Sequence, residues 1–228
     1  MSEVGSCSLV CVEEAVPLAS RGTAGLALAG ALLGGTLIAV TLPRLLVHRD
    51  SLPRRRLVIG CCAAAATGLS VGLLAMRFDG IELVAFGFLA CVGVVLAAID
   101  LVEHRLPGSL VVPSYGVLGG LLALEAVNTE RWGNLVTALA AAILVALAYL
   151  LVALASSGGL GSGDVKFGGL LSMAMGWQGW SAVVTGTAVA WLGAAVVLLA
   201  LRCVGRRPGA MPMGPLLLVG ALVALVCG

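Results

Sequence analysis

Long stretches without a single charge, separated by short polar loops, constrain this chain more than any other feature. Leu83–Ile99 and Leu135–Ala155 carry no Asp, Glu, Lys or Arg at all. A run of about 20 apolar residues is what a helix needs to cross the hydrocarbon core of a bilayer. Composition agrees. Of the 228 residues, 61% are hydrophobic and 11% are charged, against roughly 45–50% and about 25% in ordinary soluble domains. Such a chain has too little polar surface to cover itself in water, so the bilayer is its expected surroundings. The net charge of +2 gives no basic field of the kind a nucleic-acid partner requires.

Eight apolar runs follow one another: about Thr23–Leu42, Leu57–Met76, Ile81–Ile99, Ser109–Val127, Leu135–Ala155, Phe167–Met175, Ser181–Leu201 and Leu216–Cys227. Two of them, Phe167–Met175 and Leu216–Cys227, are short, and Gly176–Trp180 is expected to break the first. The expected fold is an all-α membrane protein, a polytopic bundle of about seven or eight transmembrane helices. No linker or repeat divides it, so residues 1–228 read as one integral-membrane domain. Met1–Arg21 lacks the basic n-region of a signal peptide.

Loop charge sets the expected orientation. If all eight runs cross, the loops at 43–56, 100–108, 156–166 and 202–214 share a side. That side holds ten Lys and Arg, from Arg44 to Arg207, and the other holds only Arg21, Arg77 and Arg131. The positive-inside rule makes the first side cytoplasmic and leaves both termini outside. The seven cysteines are an odd number and form no C-x-x-C. A disulfide framework and a structural zinc site are therefore not expected, although Cys7 and Cys11 stand close enough in sequence to pair in an oxidising compartment.

Two acids on the expected cytoplasmic side stand apart from the solvated loop charges Asp50 and Glu103. Asp100 closes the run Leu83–Ile99, where the chain is expected to leave the membrane into a loop at Asp100–Gly108. Asp164 lies between Gly163 and Val165 just before another apolar run. Ionisable groups at membrane depth are costly and mark function by default. Asp164 could equally cap the helix it precedes; Asp100, at a helix C-terminus, opposes the dipole. Paired carboxylates share a proton. The ionised one activates water and the protonated one donates to a carbonyl and then to a leaving amine. That chemistry calls on no metal, cofactor or covalent intermediate. The glycines beside Asp164 are expected to let an extended peptide approach the backbone. The dipole argument makes Asp164 the usual ionised member and Asp100 the usual proton holder.

The residues around both aspartates resemble a known family. Ala97-Ala98-Ile99-Asp100-Leu101-Val102-Glu103-His104-Arg105-Leu106-Pro107 resembles the first active-site motif of the type IV prepilin peptidases, with an aspartate at the end of a span and Leu-Pro six and seven residues on. Gly159-Leu160-Gly161-Ser162-Gly163-Asp164-Val165-Lys166 resembles their second, G-x-G-D-x-K. Met211-Pro212-Met213-Gly214-Pro215 is similar to a Pro-x-Gly-Pro segment before their last span. The likeness spans roughly Leu57–Cys227.

The resemblance implies a membrane-embedded aspartic endopeptidase of the bacterial plasma membrane. It implies a prepilin or pseudopilin substrate whose basic leader is cut at the cytoplasmic face, usually after a glycine and before the pilin's apolar helix. It makes Asp100 and Asp164 catalytic, with Gly161, Gly163, Lys166 and Pro107 as supporting motif positions. Larger family members carry a cytoplasmic C-x-x-C zinc insertion and N-methylate the product. Here the corresponding loop, Pro43–Arg56, is short and lacks cysteine, so neither metal nor methyl transfer is expected. Gly108 stands where the family often has Asn or Asp. Presenilin-like proteases and archaeal preflagellin peptidases share G-x-G-D. The Asp100-to-Pro107 spacing and Lys166 favour the prepilin group. A transporter using both aspartates as a proton relay, and a non-catalytic pilus-assembly protein, are the alternatives from other classes.

Overall fold

The computed structural model describes residues 53–103, 106–155, 161–205 and 212–227. The first apolar run, the Cys7 and Cys11 pair, the N-terminal expectation and most of the arginine-rich loop lie outside the described residues, as do His104, Arg105 and the arginines at 206 and 207. Seven helices and no strand occur among the described residues: α1 (Pro53–Ala75), α2 (Gly80–Glu103), α3 (Gly108–Thr129), α4 (Trp132–Ala155), α5 (Ser162–Gln178), α6 (Trp180–Cys203) and α7 (Gly214–Cys227). The all-α membrane architecture is as the sequence predicts.

Among the described residues, four stretches are long and apolar enough to cross a bilayer: Gly80–Val102, Gly108–Thr129, Trp132–Ala155 and Trp180–Cys203. At 1.5 Å per residue a 24-residue helix runs about 36 Å. The spans differ in what covers them. The Gly80–Val102 span is 67% buried, the other three only 22–28%. α2 is thus an inner helix, and α3, α4 and α6 turn large apolar side chains outward, among them Ile143, Leu154, Leu192 and Val196. In water such a surface would drive aggregation; in a bilayer it is what hydrocarbon wets.

α5 departs from expectation. Its apolar run was expected to be short and to break at Gly176. Instead the helix continues to Gln178, and twelve of its 17 residues are buried, Gly176 and Trp177 included. A Cβ at Gly176 would stand 2.6 Å from Ala141 Cβ and 2.9 Å from the Ala138 Cα and the Thr137 carbonyl. The glycine is there so that α4 and α5 can touch backbone to backbone, the small-residue packing that membrane helices use. Thr137 Oγ1 donates to the Gly176 carbonyl at 2.9 Å across the same contact. α5 packs on α3, α4, α6 and α7, so neighbouring helices, more than its own length, keep it from lipid. Gly179 alone separates it from α6, at φ 123° and ψ 175°, a region open essentially to glycine only.

Alternate helix junctions collect at the same end of the bundle. At one end Leu106 lies against Gly163, and the Gly214 N–H reaches Asp100. At the other, Arg77 Nη1 donates to the Val226 carbonyl, and Glu82 meets both Arg131 and Trp177. Even the short helices α5 and α7 therefore run from one end to the other.

Candidate active site

The end that gathers Asp100, Leu106, Gly163 and Gly214 is where both singled-out aspartates lie. Asp100 is not in a loop. It sits in the last turn of α2, which continues through Glu103, and it is 4% exposed. The apolar run was a sound guide to the helix, but the helix outlasts it by one turn because Leu101 and Val102 still suit helix and membrane. The first polar residue marked a change of chemistry, and the helix end came later.

One partner of Asp100 comes from 114 residues along the chain. The Gly214 N–H, at the first residue of α7, donates to Asp100 Oδ2 at 2.8 Å. First-turn N–H groups of a helix have no intrahelical acceptor, and a carboxylate is a natural one. The contact also requires glycine. A Cβ at position 214 would lie 2.9 Å from Asp100 Oδ2 and 3.2 Å from its Cβ. Sequence reasoning met Gly214 only as part of a Pro-x-Gly-Pro likeness and gave it no role; nothing local in the sequence reveals a partner so distant.

Asp164 is the third residue of α5, which starts at Ser162 with Gly161 as its N-cap. Its Oδ2 accepts from the Gly161 N–H at 3.2 Å. This is half of a capping box; glycine has no side chain to complete it. The other oxygen, Oδ1, is buried and has no hydrogen-bond partner among the described residues. Burial of the carboxyl and, after it, the charge of Asp100 push Asp164 up to about 6, and the Gly161 N–H pulls only weakly the other way. The groups around Asp164 work against the expectation that it is the usual ionised member, while Asp100 is itself only 4% exposed. That expectation rested on the helix N-terminus alone, and that effect is smaller than desolvation plus a like charge.

The supporting positions have distinct placements. Gly163 faces Leu106, where a Cβ would stand 2.6 Å from the leucine Cβ and 3.3 Å from its carbonyl. Gly161 has φ −73° and ψ 149°, open to any residue. The expectation that these glycines lend backbone freedom is replaced at Gly163 by a steric requirement, the close passage of the α2–α3 connection over the start of α5. Pro107 is the N-cap of α3, its carbonyl accepting from Leu110 and Val111, so it serves to start that helix. Lys166 is exposed between the buried Val165 and Phe167, with Nζ beside Gly108. Its carbonyl accepts from Tyr115 Oη of α3 at 2.6 Å. Tyr115 is a contact that sequence reasoning missed; it stands in an apolar stretch with no motif around it.

The arrangement thus brings two acids from distant parts of the chain into electrostatic contact, one held by a backbone N–H of a third helix and one with an unsatisfied buried oxygen. Two carboxyl groups so placed can hold one proton between them and act as an acid–base pair. A search of curated proteins and a search of solved structures each found no match. A family model described as the type IV leader peptidase family does match, over residues 87–227, a stretch that includes both aspartates, Gly214 and the whole of α3 to α7. With well over half of its length so matched, the chain belongs to the type IV leader peptidase family.

Proposed function

We propose that this membrane peptidase is an aspartic endopeptidase that removes the basic leader from type IV prepilins or pseudopilins, with Asp100 and Asp164 as its catalytic pair. The observation that carries the proposal is the state of Asp164. Its carboxyl is pushed up to about 6 by burial and by Asp100, and its Oδ1 is buried without a partner among the described residues. A buried, unsatisfied acid beside a second acid is expensive to keep for structure alone. It suits a group whose partner arrives with the substrate.

The chemistry follows from the pair. In this reading the shared proton rests on Asp164, and Asp100, which accepts the Gly214 N–H, serves as the base. Asp100 takes a proton from water as the water oxygen attacks the scissile carbonyl carbon. Asp164 gives its proton to the carbonyl oxygen as that oxygen gains charge. The resulting gem-diol collapses, the C–N bond breaks, and the amine leaves with the proton that Asp100 had taken. The gem-diol returns a proton to Asp164 as the new carboxyl forms. The Gly214 N–H keeps Asp100 oriented through the cycle.

The bundle end holding this pair is the end that loop charge assigns to the cytoplasm. A basic leader would approach there, and the bacterial plasma membrane is the corresponding location. Lys166, exposed on α5, is a positioning group at most. The chain is read as one peptidase domain acting without metal or cofactor.

The test is co-expression with a candidate prepilin and mass measurement of the pilin N-terminus. A new N-terminus at the boundary between leader and apolar helix is expected. An uncut prepilin beside correctly inserted protein would instead favour a proton-relay transporter or an assembly protein.

A further inference from the structure

Tyr115 is placed where it can act on Asp164 without touching it. α3 brings its hydroxyl to the Lys166 carbonyl at 2.6 Å, two residues after Asp164 in the same helical turn. The opening of α5 is packed through Val165, Phe167 and the contact of Gly163 with Leu106, but few polar contacts tie it to its neighbours. Gly161 and Gly163 offer no side chain to grip, and Asp164 caps its own helix through Gly161. Among the described residues, Tyr115 makes the side-chain hydrogen bond that ties this turn to another helix. On its far side the ring borders an apolar cleft of about 630 Å³ between α3 and α4, lined by Gly116, Gly119, Leu139 and Ile143 among others. The ring packs against the core on one side, and its hydroxyl contact adds a polar tie to α5. Gly169, one turn further along α5, lies directly under that hydroxyl, and a Cβ there would collide with Tyr115 Oη.

We infer that Tyr115 is a positioning residue of the peptidase, holding the first turn of α5 through the Lys166 carbonyl so that Asp164 stays buried against Asp100. The inference rests on the leader-peptidase reading. Several groups bear on Asp164: Asp100 from α2, Tyr115 from α3, Tyr149 from α4 and Lys166 from its own helix. α6 carries Arg202 toward this end, and α7 brings a backbone N–H and no titratable side chain there. Releasing the turn gives Asp164 more water and more distance from Asp100. Both changes return its carboxyl toward the ordinary range. A proton that the pair must hold is then lost at lower pH.

The experiment uses the full chain in detergent and a synthetic prepilin segment containing the leader and the start of the apolar helix. Values of kcat and KM are measured against pH for wild type, Tyr115→Phe, Gly169→Ala and the double variant, with Asp164→Asn as control. Tyr115→Phe should lower kcat about 2–10-fold, the size of one neutral hydrogen bond, leave KM unchanged and move the alkaline limb of the profile to lower pH. Amides at 164–167 should exchange hydrogen faster. Gly169→Ala should do the same by pushing the hydroxyl off the carbonyl, since the tip of the tyrosine yields more readily than backbone. Adding Gly169→Ala to Tyr115→Phe should cost less than it does in wild type, because the collision with the hydroxyl is gone and only the 3.1 Å approaches to the Ala142 carbonyl and the Ala146 Cβ remain.

An alkaline limb that superimposes on wild type, or losses that multiply in the double variant, would overturn the inference. Should Tyr115→Phe fail to insert, Gly169→Ala carries the same test alone. Cleavage by Asp164→Asn at the wild-type rate would instead sink the leader-peptidase reading, and with it the role of Tyr115.

Discussion

The two ends of α5 solve the same problem in opposite ways. Each end places a carboxylate from the bundle interior near a helix terminus. At the far end Glu82 is paired with two donors on one oxygen. Its Oε1 accepts from Arg131 Nη1 at 3.0 Å and from Trp177 Nε1 at 2.9 Å. The backbone beside it is closed by Gly176 against Ala138 and Ala141. At the near end Asp164 has its own cap on one oxygen and, among the described residues, no partner on the other, with a second acid, Asp100, for company. Like residue types at like positions have thus been finished at one end and left open at the other. A fold selected for stability alone would satisfy both. The open end is where substrate chemistry belongs, and the closed end is what allows α5 to tolerate it.

Predictions follow from breaking each end in turn. The largest effect is expected at the open end. Asp100→Asn or Asp164→Asn should lower turnover by about 10²–10⁴-fold, the range of general acid–base catalysis, at unchanged expression and with KM little altered. Steady-state cleavage of a prepilin segment checks this.

Disturbing the closed end should cost stability and spare the chemistry. Gly176→Leu would force α4 and α5 apart where backbone already meets backbone, an overpacking of about 1–3 kcal/mol or more. Thermal unfolding in detergent should show a lower midpoint, while the protein that remains folded keeps its turnover. Glu82→Ala should act in the same sense through the Trp177 N–H, because an orphaned buried donor costs about 1–3 kcal/mol. Glu82→Gln keeps an acceptor for the indole and loses only the attraction to Arg131, which is 56% exposed. An ion pair this open to solvent is worth at most about 1 kcal/mol, so the Gln variant should sit close to wild type.

The pH dependence separates the ends as well. Asp164 has its carboxyl raised in the fold, so folding favours its protonated form. The stability this contributes is fully present below the ordinary carboxylate range and is lost as pH rises through about 6. The unfolding midpoint should therefore fall across that window in wild type. In Asp164→Asn, which has no charge to bury, this step should shrink. Turnover should decline over the same window as the pair loses its shared proton, with an apparent value that belongs to both residues.

The smallest change expected is in Lys166→Ala. The side chain is exposed, and the contact at this position that orders α5 is made by the carbonyl, which alanine keeps. Cleavage within a few-fold of wild type is the expected result.

What was legible in the sequence follows from the physics of each feature. Apolar runs announced the helices because in a bilayer composition and span are nearly the same thing. The two aspartates stood out because charge at membrane depth is rare. The structure adds what local patterns do not carry. Asp100 was assigned to a loop because the apolar run ends before it, whereas the helix ends three residues later. α5 was expected to break at Gly176 because glycine lowers helix propensity; close packing against α4 overrides propensity there. The bond from Gly214 to Asp100 and the one from Tyr115 to Lys166 join residues 114 and 51 positions apart, and no periodicity reports a contact of that reach. The helix terminus beside Asp164 is visible in the sequence, whereas the burial and the like charge that act against it there are not.

The central claim is that Asp100 and Asp164 work as one unit. The most direct test compares Asp100→Asn, Asp164→Asn and the double variant in a single assay, cleavage of one prepilin segment by equal amounts of correctly inserted protein. Groups that act together lose their function together, so the double variant should be no slower than the worse single variant within a few-fold. Losses that multiply in the double variant, or a single variant that cleaves at the wild-type rate, would contradict the account.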